Sequence, residues 1–201
     1  MYRISNCKLL MVIALLTVAL VVPRPHAVQA ESSKTSVQPL FIFGGGPVIP
    51  GTGSILVRTK DGIGMTLHTF GLIPGNVYTV WWAVFNNPKE CATTPCTGAD
   101  LPNPFVRAVL LWGTGRIAGE DGTADFGAYR AVQDPTGNVM VGSAMALEDP
   151  LKAEIHLVVR SHGAADLDPA VLQAQLSMFN GGCPPNPPNI CQNIQASPHQ
   201  P

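Results

Sequence analysis

Between residues 54 and 161 apolar and polar side chains alternate in short stretches, the period-two pattern of strands with one face in a core. The stretches cover 54–59, 65–70, 77–85, 106–112, 123–130 and 152–161. Chain-reversal signals separate almost all of them: Asp61-Gly62, Pro74-Gly75, Asp121-Gly122 and Thr136-Gly137 supply a positive φ or a preset bend at little steric cost. One segment changes period. From Asp168, a capping residue, through Pro169 at the first turn, Leu172, Leu176 and Phe179 fall on one face, and Gly181-Gly182 stops the run, which predicts a helix over 168–180. Repeated short strands with one late helix predict a mainly β chain, a two-layer antiparallel β-sandwich with one short C-terminal helix. The absence of strand–helix alternation argues against a nucleotide-binding parallel sheet.

The ends read differently. Arg3 and Lys8 precede an apolar run from Leu9 to Val22 that closes on small-residue Val28-Gln29-Ala30, the pattern of a cleaved secretory signal peptide over 1–30. The run is shorter than the ~20 residues a membrane span requires, so the expectation is a secreted or periplasmic protein with no span in its mature part. Cys7 lies inside the leader and Glu31-Ser32-Ser33 follows the cleavage point, which leaves no cysteine for a lipid anchor. Residues 31–50 read as a flexible lead-in. Its Gly44-Gly45-Gly46 run lacks the Lys-Ser/Thr and following helix of a phosphate loop. Residues 51–182 carry the sandwich, and 183–201, rich in proline, read as an irregular tail pinned at its base by Cys191.

Charge removes some function classes. Of the 12 Lys and Arg, three (Arg3, Lys8, Arg24) leave with the leader, so nine face 13 acidic residues and the mature net charge is −4. Such a chain has no electrostatic reason to hold nucleic acid or an anionic membrane surface. Without Cys7 the five cysteines become four, an even number that in an exported protein indicates disulfides. Of the three possible pairings, Cys91 with Cys96 and Cys183 with Cys191 are favoured, because each closes a short proline-containing loop. Neither pair has the C-x2-C spacing of a zinc knuckle.

Leu72-Ile73-Pro74-Gly75-Asn76-Val77-Tyr78 followed by Thr79-Val80 resembles the corner of fibronectin type III and related immunoglobulin-like sandwiches, where a tyrosine opens a strand after a turn and bonds back to the backbone. The resemblance implies an immunoglobulin-like sandwich with Tyr78 as corner residue; it covers about ten residues, and its place early in the chain departs from the fibronectin order. As a whole the chain resembles uncharacterised secreted bacterial proteins. With Tyr78 inward, alternation sends Val80, Trp82 and Val84 inward and Thr79, Trp81, Ala83 and Phe85 to the opposite face, so both faces are apolar. Either the segment 86–105 covers the second face, or Trp81 and Phe85, with Trp112, form an exposed platform for a sugar ring or a partner. Covering is favoured because that disulfide-closed segment follows the strand directly.

The best polar constellation lies in 152–160, where Ala153, Ile155, Leu157 and Val159 point inward and Glu154, His156 and Arg160 point outward. His162 shares the parity of His156 but stands ~20 Å along the strand from it. His68 lies on the polar face of its own strand, so a metal site of His68, His156 and Glu154, with His162 if the chain bends, requires two strands to be neighbours. No H-x-H or H-x-x-E-H spacing supports it. Ser143 lacks the second glycine of a nucleophile elbow, Glu148-Asp149 precedes Pro150 and reads as a turn, and Glu120-Asp121-Gly122 reads as a hairpin rather than a calcium loop. The sequence therefore leads to a non-enzymatic binding or adhesion module at the cell surface or in the periplasm, taking a glycan or a cell-envelope protein and no cofactor. The rival is a metal-dependent or redox enzyme using the strand histidines.

Overall fold

The computed structural model describes residues 33–134, 136, 142–183 and 191–201. The expected signal peptide over 1–30 and Gly137 of the last turn signal lie outside the described residues. Among the described residues, nine strands and one α-helix follow in order: β1 (Lys34–Gln38), β2 (Phe41–Ile42), β3 (Gly53–Thr59), β4 (Gly62–Thr69), β5 (Asn76–Phe85), β6 (Ala108–Ile117), β7 (Ala124–Ala131), β8 (Glu154–Ala164), α1 (Pro169–Ser177) and β9 (Gln192–His199). The fold is mainly β, as the alternation predicts. β3 to β8 answer the six expected strands with ends displaced by a few residues, and α1 starts where expected, with the Asp168 carboxylate accepting from Ala170 N and Pro169 in its first turn.

Two antiparallel sheets share one core. The four-stranded sheet has the order β1-β3-β4-β7 and the five-stranded sheet β2-β9-β8-β5-β6. Leu56, Ile63, Met65, Leu67 and Phe126 from the first pack against Tyr78, Val80, Trp82, Val84, Leu111, Ile155, Leu157 and Val159 from the second. Burying a Leu, Ile, Val or Met side chain is worth roughly 1.5–3 kcal/mol, so this layer dominates the folding free energy. Tyr78 is buried, and its hydroxyl accepts a hydrogen bond from Ile73 N at 2.9 Å.

The five-stranded sheet is covered on its outer face as well. Trp81, Ala83, Phe85, Val106, Ala108, Leu110 and Val158 form a second cluster closed by Cys91, Cys96, Leu101 and Phe179. The segment between β5 and β6 thus folds over the sheet, as favoured above, and both local disulfides are formed, with Cα–Cα distances of 5.4 Å for Cys91–Cys96 and 5.8 Å for Cys183–Cys191. The end of α1 lies close against the same sheet: Trp112 Nε1 donates to Leu176 O at 3.0 Å, and a Cβ on Gly115 would stand 2.3 Å from that carbonyl.

Three expectations are corrected. The lead-in is not without structure, since β1 pairs with β3 and β2 with β9. The tail is not irregular over 192–199, where β9 sits between β2 and β8 inside the five-stranded sheet. The helix ends at Ser177, three residues early, because Met178 is extended.

Candidate functional site

Trp81, Phe85 and Trp112 do not form an exposed aromatic platform. Trp81 is 0% and Phe85 1% exposed, because the segment between β5 and β6 and Phe179 lie over them; Trp112 is half-buried with its indole N–H spent on Leu176 O. Trp81 meets Phe179 edge-on at 5.0 Å between centroids, and its Nε1 donates to Thr79 Oγ1 at 2.8 Å. Neither ring is available for stacking on a sugar.

The strand histidines do not converge. His68 lies on β4 of the four-stranded sheet with its Nδ1 2.7 Å from Asp125 Oδ1, exposed at the surface. His156 lies on β8 of the other sheet, paired with Ala83 and Pro198, so the two imidazoles stand on opposite outer faces of the sandwich. Glu154 and His156 do meet, at 2.6 Å, and Glu154 Oε1 also accepts from Cys96 N at 2.7 Å. This carboxylate and Arg160, expected in water, are buried, since covering the sheet's second face turned outward positions into interior ones. Arg160 spends its guanidinium on Phe179 O, Asn180 Oδ1, Asn193 Oδ1 and Cys191 O.

Two further histidines are buried, each in a polar assembly. His162 Nε2 lies 2.9 Å from Thr79 Oγ1 and its Nδ1 3.0 Å from Gly181 O, with Cys191 Sγ at 3.4 Å. Burial holds its pKa below the ordinary histidine value. His199, from the overlooked β9, contacts Ser36 Oγ through Nδ1 at 2.7 Å and Ser54 Oγ through Nε2 at 2.9 Å, while Ser54 and Ser197 hydroxyls meet at 2.6 Å. Burial, then the charges of Arg58 and His156, lower its pKa to about 4. A serine beside a histidine suggests nucleophile and base. Here both ring nitrogens are taken by hydroxyls with no carboxylate to orient them, and the depressed basicity suits a neutral cross-link between β1, β3 and β9. Arg58, also buried, donates to Pro150 O, Ala153 O, His199 O and Gln200 O at 2.6–3.2 Å, and burial lowers its pKa to about 10.

The outer face of the four-stranded sheet has no such cover among the described residues. Register aligns Val37, Ile55, Thr66 and Gly127 in one row, Thr35, Val57, Gly64 and Tyr129 in the next, and Gly53, His68 and Asp125 in a third. Val37 is 67%, Ile55 42%, Val57 40% and Tyr129 62% exposed. Glycines at three of these positions lower the floor between the apolar side chains, and a groove of ≈ 580 Å³ runs past Val37, Ile55, Thr66 and the His68–Asp125 pair. A smaller one of ≈ 330 Å³ continues it past Val57, Gly64 and Ala128. The signal for this face is Ile55-Leu56-Val57, a strand apolar on both sides.

No family model, curated protein or solved structure matches the chain.

Proposed function

We propose that this is an exported, non-enzymatic binding module that takes an extended apolar segment of a cell-envelope protein on the open face of its four-stranded sheet. One observation carries the reading: the inner faces of both sheets and the outer face of the five-stranded sheet are covered, and the remaining face is apolar, grooved and exposed at Val37, Ile55 and Val57. Contiguous exposed apolar surface of this kind is characteristic of an interaction site. The edge favours a peptide. β1 pairs on one side only, with β3, so among the described residues half of its backbone groups remain for a strand added alongside, whose alternate side chains would lie beside Thr35 and Val37. A glycan suits the groove less well, because its walls are aliphatic and its polar groups are confined to one end, at His68 and Asp125. The disulfides fit an oxidising compartment.

The test pans a displayed peptide library against the folded protein. Enrichment of peptides with aliphatic residues at alternate positions, whose binding is lost in Ile55→Lys and Val37→Lys and kept in Ile73→Lys at an exposed site elsewhere, is the expected result. Failure to enrich any peptide, or retention of a cell-wall glycan fraction unaffected by Ile55→Lys, overturns it.

A further inference from the structure

We propose that His162, Cys183 and Cys191, with the Gly181 carbonyl, form a tetrahedral Zn2+ site when the Cys183–Cys191 disulfide is reduced. The site is separate from the groove and does not depend on the binding function above. The nitrogen and two sulfurs lie within 4.8 Å of one another. The fourth donor completes the figure: Gly181 O stands 3.0 Å from His162 Nδ1, 3.6 Å from Cys183 Sγ and 3.8 Å from Cys191 Sγ, and Nδ1 stands 3.4 Å from Cys191 Sγ. Zinc bonds of ~2.0–2.3 Å at tetrahedral angles place neighbouring donors roughly 3.3–3.8 Å apart, so reduction and a parting of the two sulfurs from bonding distance to about 3.8 Å bring all four to bonding distance of a common centre.

The surroundings are those of a metal-ligating histidine. In the disulfide form Gly181 O can only accept, so His162 carries its proton on Nδ1 and the Thr79 hydroxyl donates to Nε2. Metal on Nδ1 moves that proton to Nε2, which then donates to Thr79 Oγ1, already the acceptor of Trp81 Nε1–H at 2.8 Å. A buried hydroxyl that serves either tautomer is the outer partner such a ligand requires. The Arg160 guanidinium, 3.1 Å from Cys191 O, supplies positive charge beside the thiolates. Cys183 is half-buried and offers the approach from solvent.

The chemistry balances in two steps. A dithiol reductant gives two electrons and two protons to the disulfide, becoming a disulfide itself and leaving two cysteine thiols; Zn2+ then binds both as thiolates and releases two protons.

The experiment uses the full chain, reduced with dithiothreitol, freed of reductant without oxygen and titrated with Co2+ as spectroscopic probe. We expect a thiolate-to-cobalt charge-transfer band saturating at one equivalent, bleached by Zn2+ and absent before reduction. The Cys91→Ser/Cys96→Ser variant keeps the band, Cys183→Ser and His162→Ala lose it, and Thr79→Val weakens Co2+ binding about 10- to 100-fold. Circular dichroism of each variant separates loss of ligand from loss of fold, and Thr79→Val, which is isosteric and touches no sulfur, carries the test if His162→Ala does not fold. No band in the reduced chain, or a band indifferent to Cys183→Ser, or Thr79→Val binding unchanged, overturns the proposal and leaves a disulfide with a structural role only.

Discussion

Acidification should weaken the fold through His199. The ring is fully buried against the hydroxyls of Ser36 and Ser54, with Arg58 and His156 adding positive charge nearby, and its folded pKa is about 4 against an ordinary 6.5. Above 6.5 neither the folded nor the unfolded chain protonates it, and stability is independent of this group. Between 6.5 and about 4 the unfolded chain takes up a proton that the folded chain refuses, so stability falls as pH falls across that window. At about 1.4 kcal/mol per pH unit the loss reaches about 3 kcal/mol, a large share of the roughly 5–15 kcal/mol a domain has to lose. His162, also depressed by burial, acts in the same direction, whereas the aspartates held low by hydrogen bonds, such as Asp100 and Asp134, act at and below the ordinary carboxylate range. Urea denaturation of wild type and His199→Gln at about pH 7, 5.5 and 4 isolates the group, because glutamine can replace the hydrogen bonds and does not titrate. The wild type should lose about 3 kcal/mol more than the variant across the range. Equal losses in the two proteins would refute the assignment, however stable the variant is at neutral pH.

Two further substitutions report on the covered sheet. Trp81→Ala should lower stability by roughly 3–5 kcal/mol in thermal or chemical unfolding, through the cavity it leaves beneath Phe179 and beside Thr79, and should leave peptide binding at the groove unchanged once the protein is folded. Arg58→Met leaves three buried carbonyls, those of Pro150, Ala153 and His199, and the carbonyl of exposed Gln200 without that donor, and should cost roughly 3–5 kcal/mol by urea denaturation. A loss below about 1 kcal/mol in either variant would contradict the burial on which the prediction stands.

The strands that alternate were legible in the chain, and those that do not were hidden. β3 to β8 each place apolar residues on one face, and their turns carry Gly or Pro, so period and punctuation agreed. β9 has the opposite character. The side chains it buries are Gln195, Ser197 and His199, satisfied by Thr69, Ser54 and Ser36, and a hydropathy pattern is silent where the interior is polar. Its Pro198 also argues against a strand; β2 opposes only Gln195 and Ala196, so β9 has no strand partner on that side at Pro198 and a missing N–H is tolerated. The same limit explains the site. Alternation separates two faces of a strand and does not say which of them another segment will cover, so Glu154 and Arg160 read as outward and are interior, while the outward Ile55 and Val57 stay open along the groove. His162 and the Cys183–Cys191 pair meet only through the return of the chain after α1, a contact between distant residues that no local spacing encodes.

The seat of β9 sets the order in which this protein can be assembled. His199 joins Ser36 across 163 positions of sequence, and the place between β2 and β8 in the five-stranded sheet stays vacant until residues 192–199 arrive. Closing so long a loop is slow, because its entropy must be lost before any contact compensates. Without residues 192–199, β2 has no strand partner and β8 has none on that side, so the five-stranded sheet is completed only when this segment is in place.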